Sequence, residues 1–234
     1  MSTFLELCQD VAEESGTIPT IGDPQTAQGQ TGRLLRIVNW VRKAHNDVQR
    51  MHRTWRWLEA DFSGNVIATQ QAYTPAELGI TRFGHWIWHD ETGANTFTFY
   101  LDADGQSEEG ALYYVEWPVF RRDYMVGSNA TQTGKPAYVT VNPANQLVLW
   151  PIPNAAGKLR GRYRKGHQTL SADSDTPEMP ADFHDVIKWK ALMYMATFDE
   201  AMEQLPMFDL QYNQALDRLE KDQLPRVRLA GPLA

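Results

Sequence analysis

The longest regular pattern of apolar positions in this sequence lies between residues 31 and 58. Apolar residues recur there at alternating intervals of three and four, the spacing that places side chains on one face of an α-helix. A helix over this range would be roughly 40 Å long at 1.5 Å per residue. The apolar seam consists of Leu34, Ile37, Val41, Ala44, Val48, Met51, Trp55 and Leu58.

Helical patterns also stand near both ends of the chain. Residues 3–6 read Thr-Phe-Leu-Glu, a capping box that satisfies backbone N–H groups at a helix start, and Gly16 is expected to end this first helix. Towards the C-terminus the spacing predicts a helix over residues 183–205, ended by Pro206, and a shorter helix over residues 208–219. Together these two are predicted to form a helical hairpin.

Between these helical regions the period of the pattern changes. Short runs of alternating apolar and polar residues are separated by turn residues, which is typical of antiparallel strands. Val139 and Val141 precede a turn at residues 142–145, and Leu147 and Leu149 follow it, so a hairpin is predicted here. The strand-like runs are 66–68, 83–88, 97–101, 112–119, 138–141, 146–150 and 158–164.

These patterns predict an α+β fold. Residues 1–58 and 179–223 are expected to form a discontinuous helical domain, completed by the C-terminal helical hairpin. An antiparallel β-sandwich or barrel-like module is expected to be inserted between them over residues 59–178. Residues 224–234 contain two prolines but no apolar period, so we interpret them as an extended tail that docks on another surface.

Composition restricts the class of protein further. The chain has 234 residues, of which 42% are hydrophobic, as in folded globular proteins. Its one cysteine, Cys8, excludes an intrachain disulfide, suits a reducing compartment, and is expected in the core of the first helix. The N-terminus does not have the pattern of a signal peptide, and no apolar run is long enough for a membrane span, so no membrane partner is expected.

The charge is distributed unevenly along the chain. The net charge is −7, yet residues 33–56 contain seven basic residues and a single acid. On a helix these bases would lie opposite the apolar seam, either as a water-facing surface or as a face for an acidic partner or nucleic acid. The predicted inter-subunit or DNA-facing residues are Arg36, Arg42, Lys43, Arg50, Arg53 and Arg56.

A second basic stripe follows one predicted strand. Alternate residues of a strand share a face, so one face of residues 158–164 is expected to be basic. Both interpretations stay open here too: an exposed face, or a contact with DNA or an acidic partner. The residues concerned are Lys158, Arg160, Arg162 and Arg164.

No motif for catalysis or for a cofactor stands out. The sequence lacks the nucleophile-elbow, phosphate-loop and dinucleotide-binding patterns, and its six histidines do not have the spacing of metal ligands. Trp86 and Trp88 would share one strand face, where they either stack on sugars or bases or form part of the core. We therefore expect neither an enzyme nor a cofactor.

Several segments resemble the head-to-tail adaptor proteins of tailed phages. These are residues 37–41 with Ala44, Asp47 and Gln49, the Trp-Arg-Trp-Leu of residues 55–58, Gly-Lys-Pro at 134–136, residues 147–153, and the segment from Leu170 to His184 with its Asp and Pro residues. The resemblance covers most of residues 1–205. No motif matches after Leu224.

The resemblance implies a structural virion protein at the head-tail junction, made in the host cytoplasm. It implies a ring of copies, with twelve-fold symmetry, that joins the portal protein to a tail or nozzle protein and surrounds the packaged DNA. The C-terminal tail would reach the portal, so Arg226, Arg228 and Leu229 are the predicted docking residues. The alternatives are a nucleic-acid-binding module and a carbohydrate-binding tail protein that uses the aromatic β module.

Overall fold

The computed structural model describes residues 2–17 and 23–225, and the chain divides into two compact units. The helical unit combines Met1–Leu58 with His167–Ala234, and the β unit is Glu59–Gly166. Helices at both ends of the sequence thus enclose a central stretch of strands, which confirms the predicted α+β fold class. The helices of the described residues are α1 (Phe4–Glu14), α2 (Gly32–Met51), α3 (Trp117–Tyr124), α4 (Asp185–Phe198) and α5 (Leu205–Gln223).

Helix α1 begins with the predicted capping box. The hydroxyl of Thr3 accepts a hydrogen bond from the Glu6 N–H at 3.2 Å, and the Glu6 carboxylate accepts one from the Thr3 N–H at 2.8 Å. These two bonds satisfy backbone donors that a helix start would otherwise leave open. The helix ends at Glu14, and Gly16 has the positive φ of +61° that favours glycine after a helix.

Helix α2 is shorter than the sequence predicts. It ends at Met51 instead of continuing to residue 58, because His52 is extended and the chain turns. Trp55 folds back so that its indole N–H donates to the Val48 carbonyl at 2.9 Å, in the last turn of α2. Trp55 therefore continues the apolar seam without being helical, whereas Met51, also in the predicted seam, is 43% exposed.

The C-terminal helical hairpin forms, but its helices divide at a different place. Helix α4 ends at Phe198, and Glu200 takes a positive φ of 57°, which no helix can continue. The predicted helical stop at Pro206 is wrong, since this proline lies in the first turn of α5. Its missing N–H costs nothing there because the first N–H groups of a helix have no intrahelical partner.

A single hydrophobic core joins the two sequence ends in the helical unit. Helix α2 packs on α1 and α4, and α4 packs on α5. Because the apolar stripe of each helix is covered by another, the unit buries side chains from both ends of the chain together. Fully buried members include Phe4, Leu7, Ile37, Val41, Val48, Ile187, Leu192 and Leu219.

The β unit contains two main sheets and one short strand pair. Strand β11 is central to the first sheet: β1 pairs along its whole length on one edge, with Glu59 opposite Arg164, and β4 and β3 pair with successive halves of its other edge. The strands are β1 (Glu59–Val66), β2 (Ala72–Tyr73), β3 (Phe83–Ile87), β4 (Thr98–Leu101), β5 (Gly110–Ala111), β6 (Tyr113–Tyr114), β7 (Thr133–Gly134), β8 (Tyr138–Val141), β9 (Leu147–Trp150), β10 (Ile152–Pro153) and β11 (Gly157–Lys165).

The second sheet has the order β2-β9-β8-β6 and contains the predicted hairpin. Val139 lies opposite Leu149 and Val141 opposite Leu147, which confirms that prediction. Side chains of both sheets, such as Phe99 of β4 and Leu149 of β9, belong to one core, as in a sandwich. Most pairings are antiparallel; β6 with β8 and β7 with β10 are short parallel exceptions.

Three details of the β unit differ from the sequence interpretation. The run 66–68 is not a strand, because β1 spans Glu59–Val66 and ends where that run begins. The run 112–119 is not one strand, because β6 ends at Tyr114 and α3 begins at Trp117. Pro118 favours this change since its fixed φ suits the first turn of a helix. The β unit also ends at Gly166 rather than at residue 178.

The loop that follows residue 166 is joined to the N-terminal part of the helical unit by specific hydrogen bonds. The Asp173 carboxylate accepts from the Thr26 hydroxyl at 2.6 Å and from the Ala27 N–H at 2.8 Å. The Phe4 N–H donates to the Asp175 carbonyl at 2.7 Å. These bonds hold the loop around Asp173 and Asp175 against the segment before α2 and against the start of α1. The loop therefore belongs to the helical unit, and the β unit ends before it, at Gly166.

Candidate functional site

The basic residues at the start of α2 interact with the end of α4. Both terminal nitrogens of Arg33 donate to the Asp199 carboxylate, one of them at 2.5 Å. This guanidinium holds the pKa of Asp199 below its usual range. The Arg36 guanidinium lies 4.2 Å from the centre of the Phe198 ring. These two arginines therefore fix the packing of α2 on α4.

The middle of the predicted basic face is also tied to the chain itself. The Arg42 Nε donates to the Leu170 carbonyl at 3.0 Å, and its guanidinium lies 5.0 Å from the Phe4 ring centre. The Lys43 ammonium lies 4.1 Å from the Tyr194 ring centre. The hydroxyl of the same tyrosine donates to Asp47, and burial raises its pKa. Arg42 and Lys43 thus stabilise helix packing.

The remaining three bases form the group that we call the arginine end: Arg50, Arg53 and Arg56. All three are exposed, and none makes an ion pair with any residue in the described ranges 2–17 and 23–225. Arg50 belongs to the last turn of α2, whereas Arg53 and Arg56 flank buried Trp55, which stacks on Trp57 at 4.3 Å between ring centres. The predicted basic face is thereby divided: Arg36, Arg42 and Lys43 contact their own chain, whereas the arginine end makes no such contact with the described residues.

The second basic stripe shares one face of β11, where acids of the same unit meet most of it. Arg162 and buried Arg164 both donate to the Glu59 carboxylate, at 2.7 and 2.9 Å. Arg160 pairs with Glu109 at 3.1 Å, and Lys158 donates to Asn65. A groove of about 490 Å³ lies over this face and includes Asp61. Because the charges of both signs alternate there, the stripe does not present a uniform positive surface.

Sequence reasoning did not identify the surface at the α4–α5 connection, which we call the apolar turn surface. Its large apolar side chains are 50 to 56% exposed. A groove of about 440 Å³ lies beside it, between Tyr194 and Lys190 of α4 and Leu205, Pro206 and Asp209 of α5. In the sequence, the one signal of this surface is an excess of apolar residues in a segment that is predicted to be helical. The exposed members are Phe198, Met202, Met207 and Leu210.

The aromatic residues of the β unit do not form the sugar platform that the sequence left open. Trp86 is 2% exposed and its indole N–H donates to the Asn145 carbonyl at 3.0 Å, so it belongs to the core. Trp88 lies beyond the end of β3 and stacks on Tyr114, with ring centres 4.7 Å apart and planes 5° from parallel. A ligand would have to displace Tyr114 to reach that face of Trp88.

The described residues offer little for catalysis or metal binding. No group of three or more His, Cys, Asp or Glu among them is arranged to hold a metal ion. Burial raises the pKa of the Cys8 thiol to about 12, so this cysteine is a core residue and not a nucleophile. Within the same residues, no helix combines the length and apolarity required to cross a bilayer. Arg226, Arg228 and Leu229, the predicted docking residues, lie outside the described ranges.

A family model described as SU10 adaptor protein matches residues 2–234. The match extends over both the helical unit and the β unit, so a single family accounts for the whole architecture. No curated protein matches the sequence.

Proposed function

The chain belongs to the SU10 adaptor protein family, and from that premise we propose that it is a structural, non-enzymatic component of a tailed-phage virion. In this proposal it is a head-to-tail adaptor: copies of the chain form a twelve-fold ring that joins the portal protein to a tail or nozzle protein. Packaged DNA leaves the head through the centre of that ring. The observation that carries the proposal is the family match over nearly the entire chain.

Two surfaces of the helical unit support assembly of several copies. The arginine end is exposed and unpaired with any described residue, and the apolar turn surface is exposed as well. A ring requires two different surfaces on each copy, because the contact between neighbours is heterologous. Of the predicted inter-subunit or DNA-facing residues, Arg36, Arg42 and Lys43 already contact their own chain. We therefore assign this role to Arg50, Arg53 and Arg56.

The mass of the assembled protein tests the proposal. The purified chain is measured alone and with the portal protein of the same phage, by light scattering and by negative-stain microscopy. We expect a ring of twelve copies, either free or bound to the portal. A chain that stays monomeric and does not bind the portal would refute the adaptor function.

The C-terminal tail is proposed to contact the portal through Arg226, Arg228 and Leu229. Deleting residues 226–234 leaves Leu224, which packs on the core of the helical unit, in place. The truncated chain should keep the helical content and melting temperature of the full chain but bind the portal at least tenfold more weakly. Unchanged portal binding by the truncated protein would show that another surface docks.

Nucleic-acid binding is the second candidate function, and the exposure of the arginine end favours it. If the isolated chain binds DNA through these residues, affinity should fall steeply between 50 and 200 mM salt, roughly as phosphate contacts release counterions. Replacing Arg50, Arg53 and Arg56 by glutamine should remove that salt dependence. If the chain does not bind DNA at low salt, or binds DNA equally well after the replacement, these arginines do not contact DNA, and contact with protein remains their proposed role.

A further inference from the structure

The apolar turn surface has the character of an interface. Its four large apolar side chains are exposed within one short stretch of chain, and exposed apolar surface of this kind marks sites where another molecule binds. The acids around this surface, Glu200, Glu203 and Asp209, are exposed and form no ion pair with the described residues. A complementary partner should therefore combine an apolar side chain with several positive charges.

The arginine end of the same chain has this composition. Arg50, Arg53 and Arg56 supply three positive charges, and Met51 between them is 43% exposed. Met51 is an unbranched side chain that adapts to irregular apolar surfaces. Its sulfur accepts a hydrogen bond from the buried Tyr212 of its own chain at 3.2 Å, which leaves only the exposed part of the side chain for a neighbour.

Glu200 and Glu203 lie out of reach of the arginine end of the same copy. Arg33 pairs with Asp199 and Lys43 lies on Tyr194, so α2 and α4 run antiparallel and the α4–α5 connection lies beside the start of α2. From Arg33 to Arg50 the helix rises about 26 Å at 1.5 Å per residue. Arg50 is thus far from Asp199 and from the adjacent Glu200 and Glu203 of the same copy, well beyond the reach of an arginine side chain.

We propose that the arginine end of one copy binds the apolar turn surface of the next copy. The exposed part of Met51 contacts the apolar turn surface, and Arg50 and Arg53 pair with Glu200 and Glu203 of the neighbour. Such a head-to-tail contact repeats around a closed ring, so this inference rests on the proposed adaptor function and specifies its subunit interface.

Two charge-reversed variants test this contact. The first combines Arg50→Glu with Arg53→Glu, and the second combines Glu200→Lys with Glu203→Lys. In either variant alone both surfaces carry the same sign of charge, so self-association should weaken about tenfold or more. In a 1:1 mixture each reversed surface meets its complement on the other variant, so assembly should return, with the two variants alternating around a ring of even copy number.

Matched controls carry the same changes in charge at exposed residues of the β unit. Asp102→Lys with Asp104→Lys matches the acid reversal, and Arg121→Glu with Arg122→Glu matches the arginine reversal. Both controls should assemble like the unmodified chain. Circular dichroism and thermal melting of all four variants separate loss of assembly from loss of folding.

The readout is the distribution of oligomers in sedimentation velocity, alone and with the portal protein. Assembly by either reversed variant alone at the level of the unmodified chain, or no recovery in the mixture, would overturn the proposed contact while leaving the ring intact. An unmodified chain that forms no oligomer under either condition would overturn the ring itself and the contact with it. Cross-linking of Glu200→Cys to the portal rather than to Arg53→Cys of a second copy would likewise refute the assignment.

Discussion

Trp55 provides the sharpest test of how the helical unit is held together. Its side chain is fully buried, donates to the Val48 carbonyl at 2.9 Å and stacks on Trp57. The Val48 carbonyl is one of the last four of α2, which have no partner within the helix. We therefore expect Trp55→Phe, which keeps an aromatic ring but removes the donor, to lower the free energy of unfolding.

The size of the effect follows from two contributions. A buried carbonyl left without its donor costs about 1–3 kcal/mol. The smaller phenyl ring also loses buried contacts worth about 1 kcal/mol, on the scale of one or two methylene groups. The expected total is about 2–4 kcal/mol.

The assay is urea unfolding followed by circular dichroism at 222 nm, because most of the helical residues belong to the helical unit. Trp57→Phe is the matched control: Trp57 is half-buried, and its replacement should cost less than half as much. A cost below about 1 kcal/mol for Trp55→Phe, or equal costs for the two variants, would contradict the capping role assigned to the indole.

Three further predictions concern single sites. A Cβ on Gly157 would clash with the Tyr100 carbonyl oxygen, whereas a Cβ on Gly110 meets nothing within 4 Å. In chemical unfolding, Gly157→Ala should therefore destabilise the β unit by about 1–3 kcal/mol, and Gly110→Ala by far less. Burial lowers the pKa of His184, so the unfolded chain binds a proton more readily than the folded chain does. The stability of the fold should therefore decrease as the pH drops below about 6.5. In melting experiments between pH 7 and 5, His184→Gln should make the melting temperature depend less on pH. Glu59→Gln leaves the buried guanidinium of Arg164 without its counter-ion and should cost about 3 kcal/mol, and an unchanged melting temperature would contradict this.

The apolar spacing predicts most of the helical unit but not where its helices end. Trp55 keeps the register of the α2 seam because it folds back onto the last turn, so the pattern alone cannot distinguish a helical from a returning residue. Phe198 lies inside the predicted helix 183–205, yet α4 ends at this residue and its ring is half exposed. Helix ends depend on local backbone turns that periodicity does not encode.

The candidate site was only partly predictable because it depends on partners distant in sequence. Alternation correctly places the basic residues of β11 on one face, but Glu59 lies 103 residues before Arg162 and meets it only through the register of β1 with β11. The exposure of the acidic and apolar residues in the α4–α5 connection depends on the positions of both helices, which the sequence pattern does not give. Charge counting identified the basic segment 33–56, whereas the fold shows which of its residues contact their own chain, among them Arg33, Arg36 and Arg42.

The antiparallel pairing of the first and last strands of the β unit makes this unit exchangeable. Glu59 at its start lies opposite Arg164 near its end, so the two connections to the helical unit are separated by about 5 Å, the distance between paired strands. A recombination event can therefore replace the entire insert with a different domain, or with a tight turn, without lengthening either connection.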